Sequence, residues 1–397
     1  MAGDRKVLLA NSIYHLTNDA AVIVMAGQIT VLQDKLQFGY LGAGILTAVA
    51  LIVTVVFQVV FGHFSDRRDP ARFLTWAILF LGIATMAISL ATGFATLVAL
   101  VAIARIGSSA YHPVGIGWVG RSFPGADLDH AMGFQSAFGD VGVILGLATG
   151  AVLGSALGWQ APFLAWGALN LAAVVLAVWL LKGGRVASGV RPAARVRYGS
   201  ILRDVRYWLL PIAIVGAAFN VIVTFGPGLV KHKFGQTDAI AGVSMALWIL
   251  AGSVAAFYFG RLSRRFGRYR SLLGAYAFLA LAALIAATMD LPLALGALWT
   301  LGSALFITYP ATFSFVSEAS HDRVQGAAFG VIFGFQLIGG AMAVYAAGFL
   351  AERLGNDPSI PFFLVSALSA LGCAYLLAVR GRIAGGARVG SAAAPQL

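Results

Sequence analysis

Five ionisable side chains sit in stretches otherwise suited to lipid: His15, Asp19, Arg105, His112 and Asp140. His15 and Asp19 are four residues apart, so on a helix they share a face one turn apart. A desolvated carboxylate beside an imidazole can load and unload a proton, which is the chemistry of a proton relay. The same pair also suits a hydrogen bond that only holds a helix against its neighbours. Arg105 and His112 belong to "ARIGSSAYHPVGIGWVGR" (104–121). Seven residues amount to about two helical turns, which again places both cations on one face, about 10 Å apart along the axis. Gly107, Ser108, Ser109 and Ala110 between them permit close helix approach. Pro113 removes a backbone donor and is expected to kink the helix. A guanidinium keeps its proton, so Arg105 must be paired or wetted. It suits an anionic group of a substrate, bidentately for a carboxylate or phosphonate. It equally suits a counter-charge for Asp19 or Asp140, or a purely structural ion pair. Asp140 lies in "GFQSAFGDVGVILGLATGAVLG" (133–154), where Gly142, Gly146, Gly150 and Gly154 form a stripe for tight helix packing. Arg105 is its leading expected partner. Gln135 reads as structural, and Tyr111 and Pro113 as packing and kink residues.

The elements that must hold these groups are membrane helices. Of the 397 residues 60% are hydrophobic and only 11% charged. The mean hydropathy is +0.88. Apolar runs recur at 7–33, 38–62, 73–93, 95–119, 129–157, 161–182, 207–231, 239–260, 271–289, 292–316, 324–351 and 360–379. Their length suits membrane-crossing helices, giving an all-α polytopic protein with twelve spans. Of 15 acidic residues, only Asp19 and Asp140 fall deep in a span. A charge there costs about 2.5–3.5 kcal/mol on insertion scales, so it is expected to face a cavity or a partner.

The net charge of +12 does not point to nucleic acid, because of where the charge lies. One set of loop ends carries only Lys35, Lys231, Lys233 and Arg353; apart from Arg105, every other Lys and Arg falls on the opposite set. The positive-inside rule makes the basic side cytoplasmic, with both termini on it. A multi-pass protein of the cell (inner) membrane follows, and a monomer is expected. The first span carries Tyr14, His15, Asn18 and Asp19, which does not suit a cleaved signal peptide. A single cysteine, Cys373, excludes an internal disulfide framework and a cysteine metal cluster. The histidines show no ligand spacing, and there is no Walker loop or nucleophile elbow. No metal, cofactor or enzymatic activity is expected, and an ATP-driven pump is excluded for this chain alone.

The polar stretch "KGGRVASGVRPAARVRYGSILRDVR" (182–206) divides the spans six and six. The expected units are 1–182, a cytoplasmic linker at 183–206, and 207–397. The halves correspond in sequence. "GHFSDRRDPAR" at 62–72 matches "GRLSRRFGRYR" at 260–270, and "YHP" at 111–113 matches "TYP" at 308–310. Two six-helix halves with matching loops form a parallel repeat.

This arrangement resembles the major facilitator superfamily over the whole chain. Its most specific marker is the basic Gly-x-x-x-Asp-Arg loop, here Gly62, Asp66 and Arg67, with a degenerate copy at Gly260 and Arg265. The resemblance implies that the first, fourth, seventh and tenth helices line a central cavity opened to alternate sides by rocking of the halves. "HLTND" (15–19) and "GSSAYHP" (107–113) are similar to the fosmidomycin-resistance branch, which implies proton-driven export of a small drug; Arg105 and Asp140 fall outside that branch pattern.

The charges have no counterparts in the second half. At the repeat offset His15 falls on Ala213, Asp19 on Ala217, Arg105 on Gly302 and His112 on Tyr309. What remains is Asn220, Tyr309, Gln336 and aromatic residues. A division of labour is expected: proton coupling through Asp19, His15 and Asp140 in the first half, substrate contact through Arg105, His112, Asn220, Tyr309 and Gln336. Asp66, Arg67, Arg264, Arg265 and Glu318 read as gating charges, with Glu318 aligned to Arg121 as a partner between the halves. The expected function is alternating-access, proton-coupled export of a small amphipathic or anionic compound such as an antibiotic. Import of a small organic acid and a non-transporting membrane receptor are the alternatives.

Overall fold

A computed structural model of the chain describes residues 2–65, 68–123, 126–182, 198–320 and 325–391. Among them the regular elements are helices. In order they are α1 (Ala2–Gly27), α2 (Ile29–Leu36), α3 (Tyr40–Ser65), α4 (Pro70–Ile88), α5 (Phe94–Ser108), α6 (Tyr111–Ser122) and α7 (Ala126–Leu157). There follow α8 (Ala161–Leu181), α9 (Tyr198–Gly228), α10 (Asp238–Phe266), α11 (Arg268–Thr288), α12 (Leu291–Ala319), α13 (Gln325–Arg353) and α14 (Ile360–Ser391). Among the described residues twelve spans are long and apolar enough to cross a membrane, from Arg5–Gly27 to Ile360–Ile383, as the apolar runs led one to expect. The fourth, Phe94–Ser122, is built from α5 and α6 together. The spans of α1 and α9, equivalent in the repeat, are the most enclosed by protein.

Local chemistry sets the helix ends. Asp69 caps α4, accepting from the amides of Ala71 and Arg72, with Pro70 in the first turn where its missing amide costs nothing. The expected kink at Pro113 is a break at Ser109–Ala110. Proline cannot bond to the carbonyl four residues back and its ring crowds that position, which here is Ser109. Ser109 Oγ instead donates to the Arg105 carbonyl at 2.5 Å. The repeat partner Pro310 lies inside an unbroken α12.

The glycine stripe of α7 packs on α1. A Cβ on Gly142 would lie 2.2 Å from the Leu16 carbonyl oxygen, and one on Gly150 would lie 2.5 Å from that of Val24. Gly146 meets the Ala20 backbone in the same way, and Gly154 faces the Gln28 side chain. Small residues thus bring two backbones into direct contact, where dispersion rather than hydrophobic transfer holds membrane helices together.

The chain forms two compact units. The first gathers Met1–Ala193 with Val223–Leu250 and Gly348–Pro358. The second gathers Ala194–Ile222, Ala251–Ala347 and Ser359–Leu397. The first therefore extends past the first six spans, for a packing reason. Thr224 donates to Thr47 at 3.2 Å, and Gly242 abuts Ala151 and the Gly27 carbonyl. Gly348 abuts the Tyr40 carbonyl. A π-helical turn, Leu229–Lys233, adds polar ties at the same end. Lys231 Nζ pairs with Asp34 and, at 2.8 Å, with Asp238, which also accepts from Thr30 at 2.6 Å. Tyr40 bonds His232 Nδ1 at 2.9 Å.

Candidate functional site

The site grows from one face of α1. Asn11, His15, Asn18 and Asp19 follow helical spacing and come together within the first unit. His15 Nε2 lies 3.1 Å from Asp19 Oδ2, and its Nδ1 lies 2.7 Å from the Gln135 carbonyl on α7. Asn18 Nδ2 donates to Asp19 Oδ1 at 2.8 Å. From α6, His112 Nε2 approaches Asp19 Oδ1 to 4.0 Å, and Tyr111 stacks on the His15 ring with centroids 4.3 Å apart. Gly139 of α7 makes room for this ring, since a Cβ there would lie 2.5 Å from it.

Counting hydrogens gives the chemistry. A carbonyl can only accept, so Nδ1 of His15 carries the ring proton that points to Gln135. The contact between Nε2 and Asp19 then joins two acceptors unless one further proton lies between them. The pair holds that proton either as imidazolium and carboxylate or as neutral imidazole and carboxylic acid. Losing it leaves a carboxylate facing a lone pair. His15 is buried, whereas the His112 side chain is 45% exposed and gives the group an open side.

Tyr111 is the residue that sequence reasoning underrated. Its hydroxyl accepts from Asn11 at 2.9 Å and donates to Gln135 Oε1 at 3.0 Å, while Gln135 Nε2 donates to Ser136 at 3.1 Å. Gln135 thus serves the network through its side chain and holds His15 through its backbone. The i, i+4, i+7, i+8 run of polar residues on α1 was the signal available. Tyr111→Phe is expected to leave a buried donor and acceptor unpaired, costing about 1–3 kcal/mol. An unchanged thermal unfolding midpoint of the purified protein would contradict this.

Arg105 stands apart. Its guanidinium donates to the Val22 carbonyl at 3.1 Å, beside a cavity of about 10 Å³ lined by residues that include Val22, Leu81, Ile88 and Phe163. That is space for about one water molecule. Asp19 acts on Arg105 electrostatically, and Asp140 acts on His15. Arg105 bonds the backbone of α1, and Asp19 is the carboxylate whose charge acts on it. Among the described residues, His15, Asp19 and His112 bring potential metal-ligand atoms within 4.8 Å of one another, a grouping that their sequence spacing does not display.

In the second unit Asn220 donates to the Gly216 carbonyl at 2.9 Å, and Gln336 donates to the Tyr309 hydroxyl at 3.2 Å. Tyr309 heads an aromatic group with Phe306 and Phe313, each centroid 5.9 Å away. Of the gating candidates, Asp66 and Arg67 lie outside the described residues. Arg265 packs over Phe266, and Arg264 lies beside Gly260. Glu318 pairs with Arg268 of the same half. Its sequence alignment with Arg121 had suggested a partner in the other half.

An enclosed polar centre on a twelve-span helical scaffold is the build of a membrane transporter. The Major Facilitator Superfamily profile matches residues 8–344, and the chain belongs to that superfamily, whose members are transporters rather than enzymes. It is similar to the uncharacterized MFS-type transporter YfnC of Bacillus subtilis (strain 168), 22% identical over 373 residues, covering 89% of this chain and 88% of YfnC. Among solved structures it resembles a bacterial homolog of the human lysosomal transporter Spinster, inward-facing and unoccupied. The TM-score is 0.77 at 15% identity, over 97% of each chain. The nucleoside transporter NupG gives 0.75 at 12% identity, over 94% of this chain and 99% of NupG.

Proposed function

We infer that the protein is a proton-coupled exporter of a small amphipathic or anionic compound, working by alternating access across the cell membrane. The observation that carries this reading is the 3.1 Å contact of His15 Nε2 with Asp19 Oδ2 while its Nδ1 faces the Gln135 carbonyl, a geometry suited to a shared proton, in a chain whose other half lacks counterparts to His15 and Asp19. Asp19 is the carrier and His15 its partner. Asp140 and Arg105 set the local field. In this reading Arg105 is a counter-charge more than a substrate ligand, because the space beside it admits only about one water. Substrate contacts are assigned unit by unit: the exposed face of His112 in the first, and Asn220, Tyr309 and Gln336 in the second.

The cluster around Lys231 ties the π-helical turn to α2 and α10 within the first unit. Lys231→Met removes both ion pairs and is expected to free the π-helical turn from α2. A cysteine at buried Thr47, in a chain with Cys373→Ser, should then react faster with a maleimide. Equal labelling rates in the two backgrounds would mean that these ion pairs do not hold the turn in place.

The similarity to the fosmidomycin-resistance branch makes labelled fosmidomycin the first substrate to test. In everted vesicles, an interior-acid gradient should drive its accumulation, and a protonophore should abolish it. Accumulation in right-side-out vesicles driven by an inward proton gradient would overturn export.

A further inference from the structure

The geometry points to a second occupant for the place of the shared proton: a divalent first-row transition-metal ion held by His15 Nε2, an Asp19 oxygen and His112 Nε2. This rests on ligand geometry and stands whether or not transport is proton-coupled. Two imidazoles and one carboxylate are a donor set that such ions take, with open positions left for water or a cargo donor atom. The three ligand atoms already lie within 4.8 Å of one another. Bonds of about 2.0–2.2 Å need closure by about 1 Å. His112 can supply it, since it stands on the turn after the Ser109–Ala110 break and is partly exposed.

The surrounding groups support the ligands. His15 gives its Nδ1 proton to the Gln135 carbonyl, the partner that fixes a ligating histidine's tautomer and turns Nε2 inward. Asn18 orients the carboxylate from the side. The Asp19 carboxylate supplies the negative ligand of the set, and the two imidazoles bind as neutral donors. The exposed side of His112 is a path of entry.

The test is a titration of the tag-free, full-length protein in detergent with Co²⁺ alone, read by d–d absorption. The expected result is a saturable spectrum at one equivalent, displaced by Zn²⁺. His112→Gln and Asp19→Asn should each weaken binding at least about tenfold, while His63→Gln, at an exposed position remote in sequence, should leave it unchanged. Circular dichroism melting of each variant separates ligand loss from unfolding. No d–d spectrum in the folded wild type would overturn the proposal. So would a spectrum that persists at wild-type affinity in folded His112→Gln and Asp19→Asn, or one that is lost in His63→Gln.

Discussion

Asp19→Asn is expected to end proton-driven transport while substrate exchange across the membrane continues. Asparagine is nearly isosteric with aspartate and can still bond His15 Nε2, now by donating its own amide hydrogen. The site keeps its shape, Asn18 keeps an acceptor, and His15 keeps its bond to Gln135. What disappears is the carboxylate facing His15 Nε2, the group that in this reading binds a proton on one side and gives it up on the other. Uphill transport should fall to background, and counterflow of labelled against unlabelled substrate should remain. The two assays together make the expectation specific, because a misfolded variant loses both. A variant that still follows an imposed proton gradient would remove Asp19 from the carrier role. Arg105 loses an opposite charge that favours its cationic form, so some loss of stability is expected, and the unfolding midpoint is read beside the two transport assays.

Gly142→Ala should strongly destabilise the protein, whereas Gly133→Ala on the same helix should not. In a helix, alanine is ordinarily better than glycine by about 0.5–1 kcal/mol. At Gly133 nothing lies within 4 Å of the new methyl, so that gain should appear. At Gly142 the methyl would lie 2.2 Å from the Leu16 carbonyl oxygen and 3.0 Å from its Cα, both backbone atoms that no rotamer change can move. The helices must separate, and overpacking of this kind costs about 1–3 kcal/mol. Leu16 follows His15 in sequence, so the spreading reaches the proton pair, and transport should fall further than stability. Thermal unfolding of both variants, with transport measured beside it, checks the opposite signs. Equal behaviour would mean that the contact between α1 and α7 is not tight.

Much of the scaffold was legible because the bilayer imposes it. Apolar length gives the spans, Pro113 gives a distortion in the fourth span, and glycines every four residues give a close-packed face on α7. The i, i+4 spacing of His15 and Asp19 was enough to pair them, since that contact is made within one turn of one helix. His112 was different. Nothing in its spacing from Asp19 says that α6 lays its imidazole against the same carboxylate. Arg105, seven residues earlier, shares its helical face by simple counting. The break at Ser109–Ala110 separates the two, and Arg105 reaches the Val22 carbonyl while His112 reaches Asp19. Tyr111 read as packing because a lone tyrosine on a greasy helix usually is. Its two hydrogen bonds come from α1 and α7, which are distant in sequence.

The sequence by itself therefore determined the membrane class, the twelve spans and the contact between His15 and Asp19. These depend on hydrophobic length and on neighbours within a helical turn. Tertiary structure alone decided that His112 and the Gln135 carbonyl complete the His15–Asp19 pair, that Arg105 turns to the backbone, and that Lys231 ties α2 to α9 and α10. Those contacts join helices far apart in the chain. They are set by how closely two backbones approach, which here depends on single glycines and on one break in the fourth span.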